Sequence, residues 1–341
     1  MANVDIMSVL AARGKPIGDG TIALLSKEDD RLLKTMMLDY PLRGGKRLRS
    51  VLCIMSCEAF GGKVEDAMNT AIAFELFQHW ILIHDDIEDY SEERRGKPAL
   101  HKIYGMPLAN NTGDALHFRM WETLFNNRKV MGSEKAFKVL DEFANMGRKC
   151  TEGQSTEIEW VENRIWSMKE EDCYTMAGLK TANYTFTFPF RIGAIIGGAT
   201  DEQLKASYSL GEKVGIAFQI QDDALNLVGD KEKYGKELGG DLWEGKRTLI
   251  LIHLVNNCTP EERSNVIAIM NKKREEKTEA EVRYVWDLML KYGSIDHAKK
   301  KAVEFASEAA AEFDREFAFL PETEAKAFIR GLFDFVINRE V

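Results

Sequence analysis

Residues 71–89 read AIAFELFQHWILIHDDIED, and this stretch sets the expected architecture of the chain. From Ala71 to Ile83 a helix would be apolar on nearly every side, with Glu75 and Gln78 among its few polar exceptions. A helix of that kind belongs in the middle of a bundle, surrounded by other helices. The stretch then ends in a cluster of carboxylates. It therefore predicts a central helix with charged chemistry at one end.

The same arrangement occurs a second time, further along the chain. Residues 210–221 (LGEKVGIAFQIQ) are close to apolar all round, and the carboxylates of Asp222 and Asp223 follow directly. In both places the polar residues stand at i, i+1 and i+4, and on a helix i and i+4 share a face. Two such arrangements, each on a core-like helix, are hard to explain as surface decoration. We expect them to face each other across a bundle.

The rest of the chain also favours helices. The seven prolines leave three long uninterrupted stretches, 108–188, 190–259 and 261–320, and proline interrupts helix interiors. Apolar residues recur at three- and four-residue steps in 135–150 and 202–228, and no alternating run is long enough to indicate a sheet. No low-complexity linker or composition break divides the chain. We predict an all-α fold and a single domain over residues 1–341.

Composition limits the classes of function. The 341 residues include 46 basic and 55 acidic side chains, which gives a net charge of −9 and argues against a nucleic-acid binder. Five cysteines without a CxxC pair are typical of free thiols in a reducing compartment. The N-terminus lacks a signal pattern, and no apolar run approaches the length of a membrane span. We expect a soluble, cytoplasmic protein with no stable membrane insertion.

The acidic clusters indicate a divalent metal. Asp85 and Asp89 are four residues apart, so their charges repel, and burial beside apolar residues increases that cost. A hard cation such as Mg²⁺ removes both costs, because it takes carboxylate oxygens and commonly bridges to substrate phosphates. Two facing clusters would therefore form a polynuclear metal site, open at one end.

Cationic residues in short polar segments complete the pattern. Any one of them is typical of a solvated surface, but together with paired acidic clusters they predict a pocket for diphosphates. The segments are GGKRLR at 44–49, RRGKP at 94–98, Lys180-Thr181, Lys236 in GKELGGD, and Lys246 with Thr248 in EGKRT.

An ordered series of motifs resembles the trans-isoprenyl diphosphate synthases, the polyprenyl synthetase family, over almost the whole chain. Any single motif is weak, but the order of the series is very specific. The matching motifs are GGKRLR at 44–49, HDDIED at 84–89, RRGKPALH at 94–101, GDALH at 113–117, KT at 180–181, FQIQDD at 218–223, GKELGGD at 235–241 and GKRT at 245–248.

The resemblance implies the fold and the reaction. The fold would be a helical bundle around a deep central cavity, the isoprenoid synthase type I fold. An allylic diphosphate ionises, isopentenyl diphosphate attacks the carbocation, and loss of a proton gives a product five carbons longer. The cofactor would be Mg²⁺, about three ions per site, with Mn²⁺ as a substitute. The resemblance also implies a homodimer.

Site residues follow from the same resemblance, position by position. The principal metal ligands would be Asp85, Asp89 and Asp222, supported by Asp86 and Asp223. The allylic diphosphate would be bound by Arg94, Lys180 and Lys246, with Thr181, Gln219 and Lys236 nearby. Isopentenyl diphosphate would be bound by Lys46, Arg49, Gln78 and Arg95. Of these, the reacting centre would use Asp85, Asp86, Asp89, Lys180, Asp222, Asp223 and Lys246.

Product length is expected to depend on one large side chain. Trp80 lies five residues before Asp85, more than one helical turn deeper in the cavity, and in this family a bulky residue there stops the growing chain. Phe77 lies three residues deeper still. We expect a short all-trans product, C20 (geranylgeranyl) ahead of C15 (farnesyl).

Two other functions remain open from the residues alone. A class I terpene cyclase shares the first acidic motif, but its second metal motif has the pattern N-D-x-x-S-x-x-x-E, which residues 222–230 do not show. A non-catalytic regulatory subunit of a prenyl diphosphate synthase would be expected to have lost an acidic cluster, whereas both are present here.

Overall fold

The computed structural model describes residues 4–228 and 239–339, and the described chain is almost entirely helical. The first helices are α1 (Ile6–Leu25), α2 (Arg31–Leu42), α3 (Leu48–Ala59), α4 (Val64–Glu88), α5 (Leu100–Tyr104), α6 (Met106–Phe125), α7 (Arg128–Met131) and α8 (Ser133–Glu162). Next come α9 (Glu170–Ala177), a π-helix (Gly178–Thr187), α10 (Phe188–Gly197) and α11 (Ser207–Val228). The later helices span Gly240–Glu244, Leu249–Asn257, Pro260–Met270, Arg274–Glu276 (a 3₁₀ turn), Glu279–Lys291, Ser294–Glu316 and Glu324–Asn338.

The central position predicted for residues 71–89 is confirmed. Residues 71–88 make up most of α4, whose C-cap is Asp89, and α4 packs against both α3 and α6. α11, the second apolar helix, packs against the π-helix and against Ser294–Glu316. One core of buried apolar side chains extends from Ile6 on α1 to Val336 near the end of the described chain. The single domain over 1–341 stays a prediction, since three short ranges lie outside the description.

A short hairpin follows the first acidic cluster and was not predicted. Strand β1 (Glu93–Arg94) pairs antiparallel with β2 (Lys97–Pro98). The two residues between them, Arg95 and Gly96, both have positive φ, as the tight turns of two-residue hairpins require. Arg43 from α2 donates hydrogen bonds to the backbone carbonyls of Arg94 (2.7 Å) and Pro98 (2.9 Å). The hairpin thereby holds two cationic residues at fixed positions beside the end of α4.

The described helices contain no segment that is both long and apolar enough to cross a membrane.

Candidate active site

A cavity of about 200 Å³ lies between α4, α8, the π-helix and α11. Its mouth is polar and its deeper part is aromatic and apolar. The lining includes Asp85, Glu88, Gln154, Glu157, Lys180, Thr181, Gln219, Asp222, Asp223, Asp241 and Lys246 around the mouth, and Phe77, Trp80, Ile81, Cys150 and Tyr184 further in. Both acidic clusters predicted from the sequence thus contribute to one cavity.

Two carboxylates of the first motif are paired with lysines that the sequence also singled out. Asp85 Oδ1 lies 3.2 Å from Lys180 Nζ, and Asp85 Oδ2 lies 3.5 Å from Arg94 Nη2. Asp89 is the C-cap of α4, and its Oδ2 atom lies 2.6 Å from Lys246 Nζ. Burial raises the pKa of Asp89, so an uncompensated negative charge there would be costly. Cations already balance these carboxylates in the protein alone.

The side chain of Asp86 lies in a different place from those of Asp85 and Asp89. Its side chain is fully buried away from the cavity, where it accepts hydrogen bonds from the Tyr40 hydroxyl and from Arg94 Nε (2.9 Å). Tyr40 in turn accepts a hydrogen bond from the backbone N–H of Leu100 (3.1 Å). Burial and the Asp86 charge raise the pKa of Tyr40. These contacts anchor Arg94, and the supporting role of Asp86 at a metal stays a prediction.

The second motif on α11 is joined to the π-helix by a chain of hydrogen bonds. Thr181 Oγ1 donates to Gln219 Oε1 (2.6 Å), and Gln219 Nε2 donates to Asp223 Oδ1 (2.7 Å). Burial, together with the nearby charge of Asp241, raises the pKa of Asp223. Asn226, at the last position of the motif, accepts a hydrogen bond from the backbone N–H of Asp241 (3.2 Å). Asn226 thus fixes the start of the next segment.

Asp222, the remaining predicted metal ligand, is paired with a residue that the sequence did not single out. Arg339 Nη2 lies 3.1 Å from Asp222 Oδ1 and 3.1 Å from the carbonyl oxygen of Phe218. The Arg339 guanidinium also lies over the Phe218 ring, 3.8 Å from its centroid. Each of the three expected metal ligands therefore has a cationic partner.

The two cavity lysines are held by carboxylates on several helices. Lys180 forms an ion pair with Glu157 on α8 in addition to Asp85, and Lys246 lies 3.2 Å from Glu244 Oε2. Burial opposes the charge of Lys180, but Asp85 and Glu157 outweigh it and raise its pKa. Both lysines are thus cations at neutral pH, with ends that lie at the mouth of the cavity.

The π-helix positions Lys180 through a close contact with α8. A Cβ on Gly153 would lie 2.3 Å from the Lys180 backbone nitrogen and 2.7 Å from its Cα, so only glycine fits there. We expect Gly153→Ala to push the two helices apart, lower stability by about 1–3 kcal/mol and reduce turnover by at least tenfold. Gly147→Ala on the same helix is the control, because its Cβ would meet only a Phe77 ring atom at 3.9 Å. Equal turnover of both variants would contradict the prediction.

None of the four residues expected to bind isopentenyl diphosphate is among the residues that line this cavity, and Arg49 contacts one of the lining residues. Arg49 donates from Nη2 to Thr185 Oγ1 (2.8 Å), and its guanidinium lies 4.1 Å from the centroid of the Tyr184 ring, which lines the cavity. Lys46 is half-buried, and burial with the nearby charge of Arg339 lowers its pKa to about 8. Arg95, in the hairpin turn, donates to the Tyr40 carbonyl (3.0 Å).

Two polar atoms in this group have no hydrogen-bond partner among the described residues. They are Oε1 of Gln78 and Nε of Arg49, and both are buried. Buried polar atoms without partners are rare in folded proteins and call for an explanation. A polar ligand that fills the space beside them would provide one.

The deep part of the cavity ends in a cluster of aromatic rings. Trp80 stacks on His117 of α6 with ring centroids 4.1 Å apart and an interplanar angle of 18°. Phe77 meets Trp80 edge-on at 5.3 Å, and Trp121 donates its Nε1–H to His117 Nε2 (2.8 Å). Trp80 is therefore fixed at about 7.5 Å along the helix axis from Asp85.

Several site residues were missed by the sequence analysis. Glu157 and Gln154 lie on α8, and Gln154 Nε2 donates to Glu88 Oε2 (2.6 Å). Asp241 and Glu244 lie after the second motif, and Glu244 also accepts a hydrogen bond from Ser91 (3.0 Å). The only available signal was the polar spacing of Gln154 and Glu157 on one face of an otherwise amphipathic helix. Lys236, which was predicted, lies outside the described residues.

The donor set suits a hard divalent cation. Asp85, Asp222 and Asp223 supply only oxygen ligands from two facing helices, and this is the ligand chemistry of Mg²⁺. In residues 4–228 and 239–339 no three His, Cys, Asp or Glu side chains already converge on one point. Asp85 and Asp222 are instead ion-paired with Lys180 and Arg339. Metal binding by these two carboxylates would therefore require the ion pairs to rearrange.

Comparison with known proteins identifies the class to which this fold and site belong. Residues 30–289 match the polyprenyl synthetase family. The geranylgeranyl diphosphate synthase of Sulfolobus acidocaldarius is 36% identical over 266 residues, which cover 78% of this chain and 79% of that protein. The chain belongs to the polyprenyl synthetase family. It is accordingly a prenyltransferase, as the motif series predicted.

Solved structures confirm the fold. The geranylgeranyl pyrophosphate synthetase of Pyrococcus horikoshii is 33% identical and superimposes with a TM-score of 0.86 over 98% of both chains. A polyprenyl synthase from Caulobacter crescentus, solved with calcium and isoprenyl diphosphate, is 26% identical and gives a TM-score of 0.87 over 100% of both chains. The all-α isoprenoid synthase fold that the family resemblance implied is thus confirmed.

Proposed function

We propose that this protein catalyses the Mg²⁺-dependent head-to-tail condensation of isopentenyl diphosphate with an allylic diphosphate. The product would be a short all-trans prenyl diphosphate, C20 ahead of C15. One observation carries the proposal: two acidic clusters on facing helices share a cavity that has lysines at its mouth and aromatic rings at its closed end. The polar half suits a diphosphate and the apolar half suits a prenyl chain.

The polar half supports departure of the diphosphate leaving group. Lys180, Lys246 and Arg94 place three cations around the mouth, where negative charge develops as the carbon–oxygen bond breaks. Asp85, Asp89 and Asp222 would bind Mg²⁺, which would act as a Lewis acid and neutralise the charge of the same diphosphate. The site would hold about three such ions, and Mn²⁺ could substitute for them. Asp86 acts in this scheme through Arg94, which it holds in place.

The apolar half supports the carbocation. Ile81, Tyr184 and Trp80 line a space that offers a bound cation few nucleophiles, so water is kept from the reacting carbon. Isopentenyl diphosphate would lie on the side of Lys46, Arg49 and Arg95, where its diphosphate would accept a hydrogen bond from the unpartnered Nε–H of Arg49.

The direct test is a product analysis. Purified protein is incubated with Mg²⁺, isopentenyl diphosphate and, separately, C5, C10 and C15 allylic diphosphates, and the dephosphorylated alcohols are separated by chain length. We expect a single C20 alcohol from all three primers, complete loss of product with excess EDTA, and recovery when Mg²⁺ is restored. A C15 or C25 product would correct the length alone. No elongation would favour the regulatory subunit, and cyclic hydrocarbons from an allylic diphosphate alone would favour the cyclase.

The assembly we propose is a homodimer formed through the surface between α5 and α8. Seven of the strongly exposed large apolar side chains lie between residues 103 and 137: Ile103, Met106, Leu108, Phe118, Phe125, Val130 and Phe137. Phe118 is 72% exposed and Phe125, seven residues later on the same face of α6, is 52% exposed. An apolar surface of this kind marks a protein–protein contact, and a second copy satisfies the symmetry of a twofold interface.

We expect Phe118→Glu to convert the dimer into monomers. A twofold contact contains the same residue from both copies, so the substitution would bury two carboxylates in the interface. Sedimentation velocity measures the change directly. Leu290→Glu is the matched control, since Leu290 is 51% exposed on Glu279–Lys291, away from the α5–α8 surface, and should leave the dimer intact. A dimeric Phe118→Glu protein would place the interface elsewhere.

The location we propose is the cytoplasm. All five cysteines are free in the structure, and four of them are buried. Free thiols of this kind persist in a reducing compartment. The proposal rests on this observation and on the composition described above.

A further inference from the structure

Lys246 and Arg247 are consecutive residues that point to opposite sides of the same turn. Lys246 reaches into the cavity toward Asp89, whereas the Arg247 side chain is only 1% exposed. The turn joins Gly240–Glu244 to Leu249–Asn257 and is closed by the Lys246 N–H, which donates to the Asp241 carbonyl (2.9 Å). The functional proposal above uses Lys246 but gives Arg247 no role.

The Arg247 guanidinium is buried without a carboxylate partner among the described residues. It stacks on the ring of Trp166, 4.0 Å from its centroid, and donates from Nη2 to Asn271 Oδ1 (3.1 Å). Nη1 donates to the backbone carbonyls of Gly245 and Met270 (3.5 Å). Trp166 also donates its Nε1–H to Asn271 Oδ1 (3.0 Å), so one amide oxygen joins the stacking ring and the cation.

Helix geometry explains how a buried cation is tolerated there. Met270 is the last residue of Pro260–Met270 and Asn271 is its C-cap, so Arg247 lies at the negative end of a helix dipole. Burial lowers the pKa of Arg247 to about 10, which leaves it protonated at neutral pH. The cation therefore ties the turn to the end of a second helix.

Lys277 makes the same kind of contact from the same segment. It is 6% exposed, and its Nζ donates to the carbonyls of Leu242 (2.8 Å) and Trp243 (2.7 Å), in the last turn of Gly240–Glu244. Gly245 lies where the two cations meet: its φ is +80°, and a Cβ there would lie 3.1 Å from the Met270 carbonyl and 3.4 Å from Lys277 Nζ. Residues 270–277 thus hold the turn from outside at two points.

Lys246 needs such support because it has open space on two sides. It lines the substrate cavity and also a second cavity of about 290 Å³, which is bounded by residues 270–275. The Asp89 and Glu244 carboxylates bind its ammonium group, and the backbone of the turn sets the point from which the side chain reaches them.

We propose that Arg247 and Lys277 are positioning residues that fix Lys246 against the diphosphate of the allylic substrate. This inference rests on the proposed function, in which Lys246 binds that diphosphate. Arg247 acts through the Asn271–Trp166 contact and Lys277 through the end of Gly240–Glu244. Neither side chain touches the substrate itself.

The test compares binding of the two substrates to Arg247→Lys, Arg247→Met and Lys277→Met proteins. Calorimetric titration with farnesyl diphosphate and Mg²⁺, without isopentenyl diphosphate, measures the allylic Kd in the absence of turnover. Steady-state kinetics gives the KM of isopentenyl diphosphate. We expect all three variants to weaken farnesyl diphosphate binding by about tenfold and to leave the KM of isopentenyl diphosphate within about twofold.

Arg247→Lys separates position from charge, because it keeps a cation but loses the stacked, two-pronged contact. Wild-type binding by Arg247→Lys would overturn the inference, and so would an equal loss for both substrates. Asn271→Ala is the milder variant if Arg247→Met does not fold, and the same tenfold loss is expected. Lys326→Met is the control for loss of a buried cation: Lys326 donates to the Leu320 carbonyl (2.9 Å) away from the cavity.

The Lys246→Gln variant distinguishes a failure of this inference from a failure of the proposed function. If Lys246→Gln weakens farnesyl diphosphate binding and the Arg247 variants do not, the positioning role is wrong and the proposed function stands. If Lys246→Gln has no effect, Lys246 is not a diphosphate ligand, and both the role assigned to it and the inference that depends on it are wrong.

Discussion

Asp85→Asn is expected to lower kcat by about 10³-fold, which corresponds to about 4 kcal/mol of lost transition-state stabilisation. Asp85 is the expected metal ligand of the first motif that lines the cavity, and Asn offers a metal only a neutral amide oxygen. The fold should survive, because Lys180 keeps its ion pair with Glu157. A single-turnover assay with C15 primer measures the loss, and raising Mg²⁺ should recover part of it.

The control for Asp85→Asn is Asp287→Asn. Asp287 is exposed on Glu279–Lys291 and forms an ion pair with Arg283 within the same helix, so its loss should leave kcat unchanged. A drop of less than tenfold for Asp85→Asn, with the thermal midpoint preserved, would show that Asp85 is not a principal metal ligand.

Trp80→Ala is expected to move the main product from C20 to C25 or longer. The indole lines the cavity about 7.5 Å along the helix axis from Asp85, and we expect its removal to open the space that the next isoprene unit needs. His117, which stacks behind Trp80, and Phe77 remain, so we expect extension by a small number of units. The chain-length distribution of the dephosphorylated alcohols is the measurement.

Loss of a large aromatic side chain also lowers stability, by up to about 3–5 kcal/mol when it is fully buried. Trp286→Ala, a half-buried tryptophan on Glu279–Lys291, controls for that general effect and should keep the wild-type product. An unchanged distribution with Trp80→Ala would mean that another residue ends the chain.

Much of this architecture could be predicted because it depends on local patterns. The apolar stretches at 71–83 and 210–221 are unusual enough to place two helices in the core. The carboxylates come directly after these stretches in the sequence, so they are expected at the ends of the two helices. Both motifs therefore appear in one cavity, as expected. The pairing of the first motif with Lys180 and Lys246 also agrees with the cationic segments recognised in the sequence.

The features that could not be predicted depend on residues far apart in the chain. Asp86 turns inward because Tyr40, forty-six residues earlier, offers its hydroxyl group there. Glu157 meets Lys180 only because Gly153 lets α8 approach the π-helix. The hairpin at 93–98 has strands of two residues, too short for any alternating pattern to reveal.

The pairing of Asp85, Asp89 and Asp222 with Lys180, Lys246 and Arg339 has a thermodynamic consequence. In the proposed function, a metal ion that binds these carboxylates alone must displace a cation, and a diphosphate that binds alone must draw a cation from its carboxylate. When both bind together, each releases the partner that the other requires. We therefore expect binding of metal and diphosphate to be cooperative and reciprocal, so that each ligand raises the affinity for the other by the same factor.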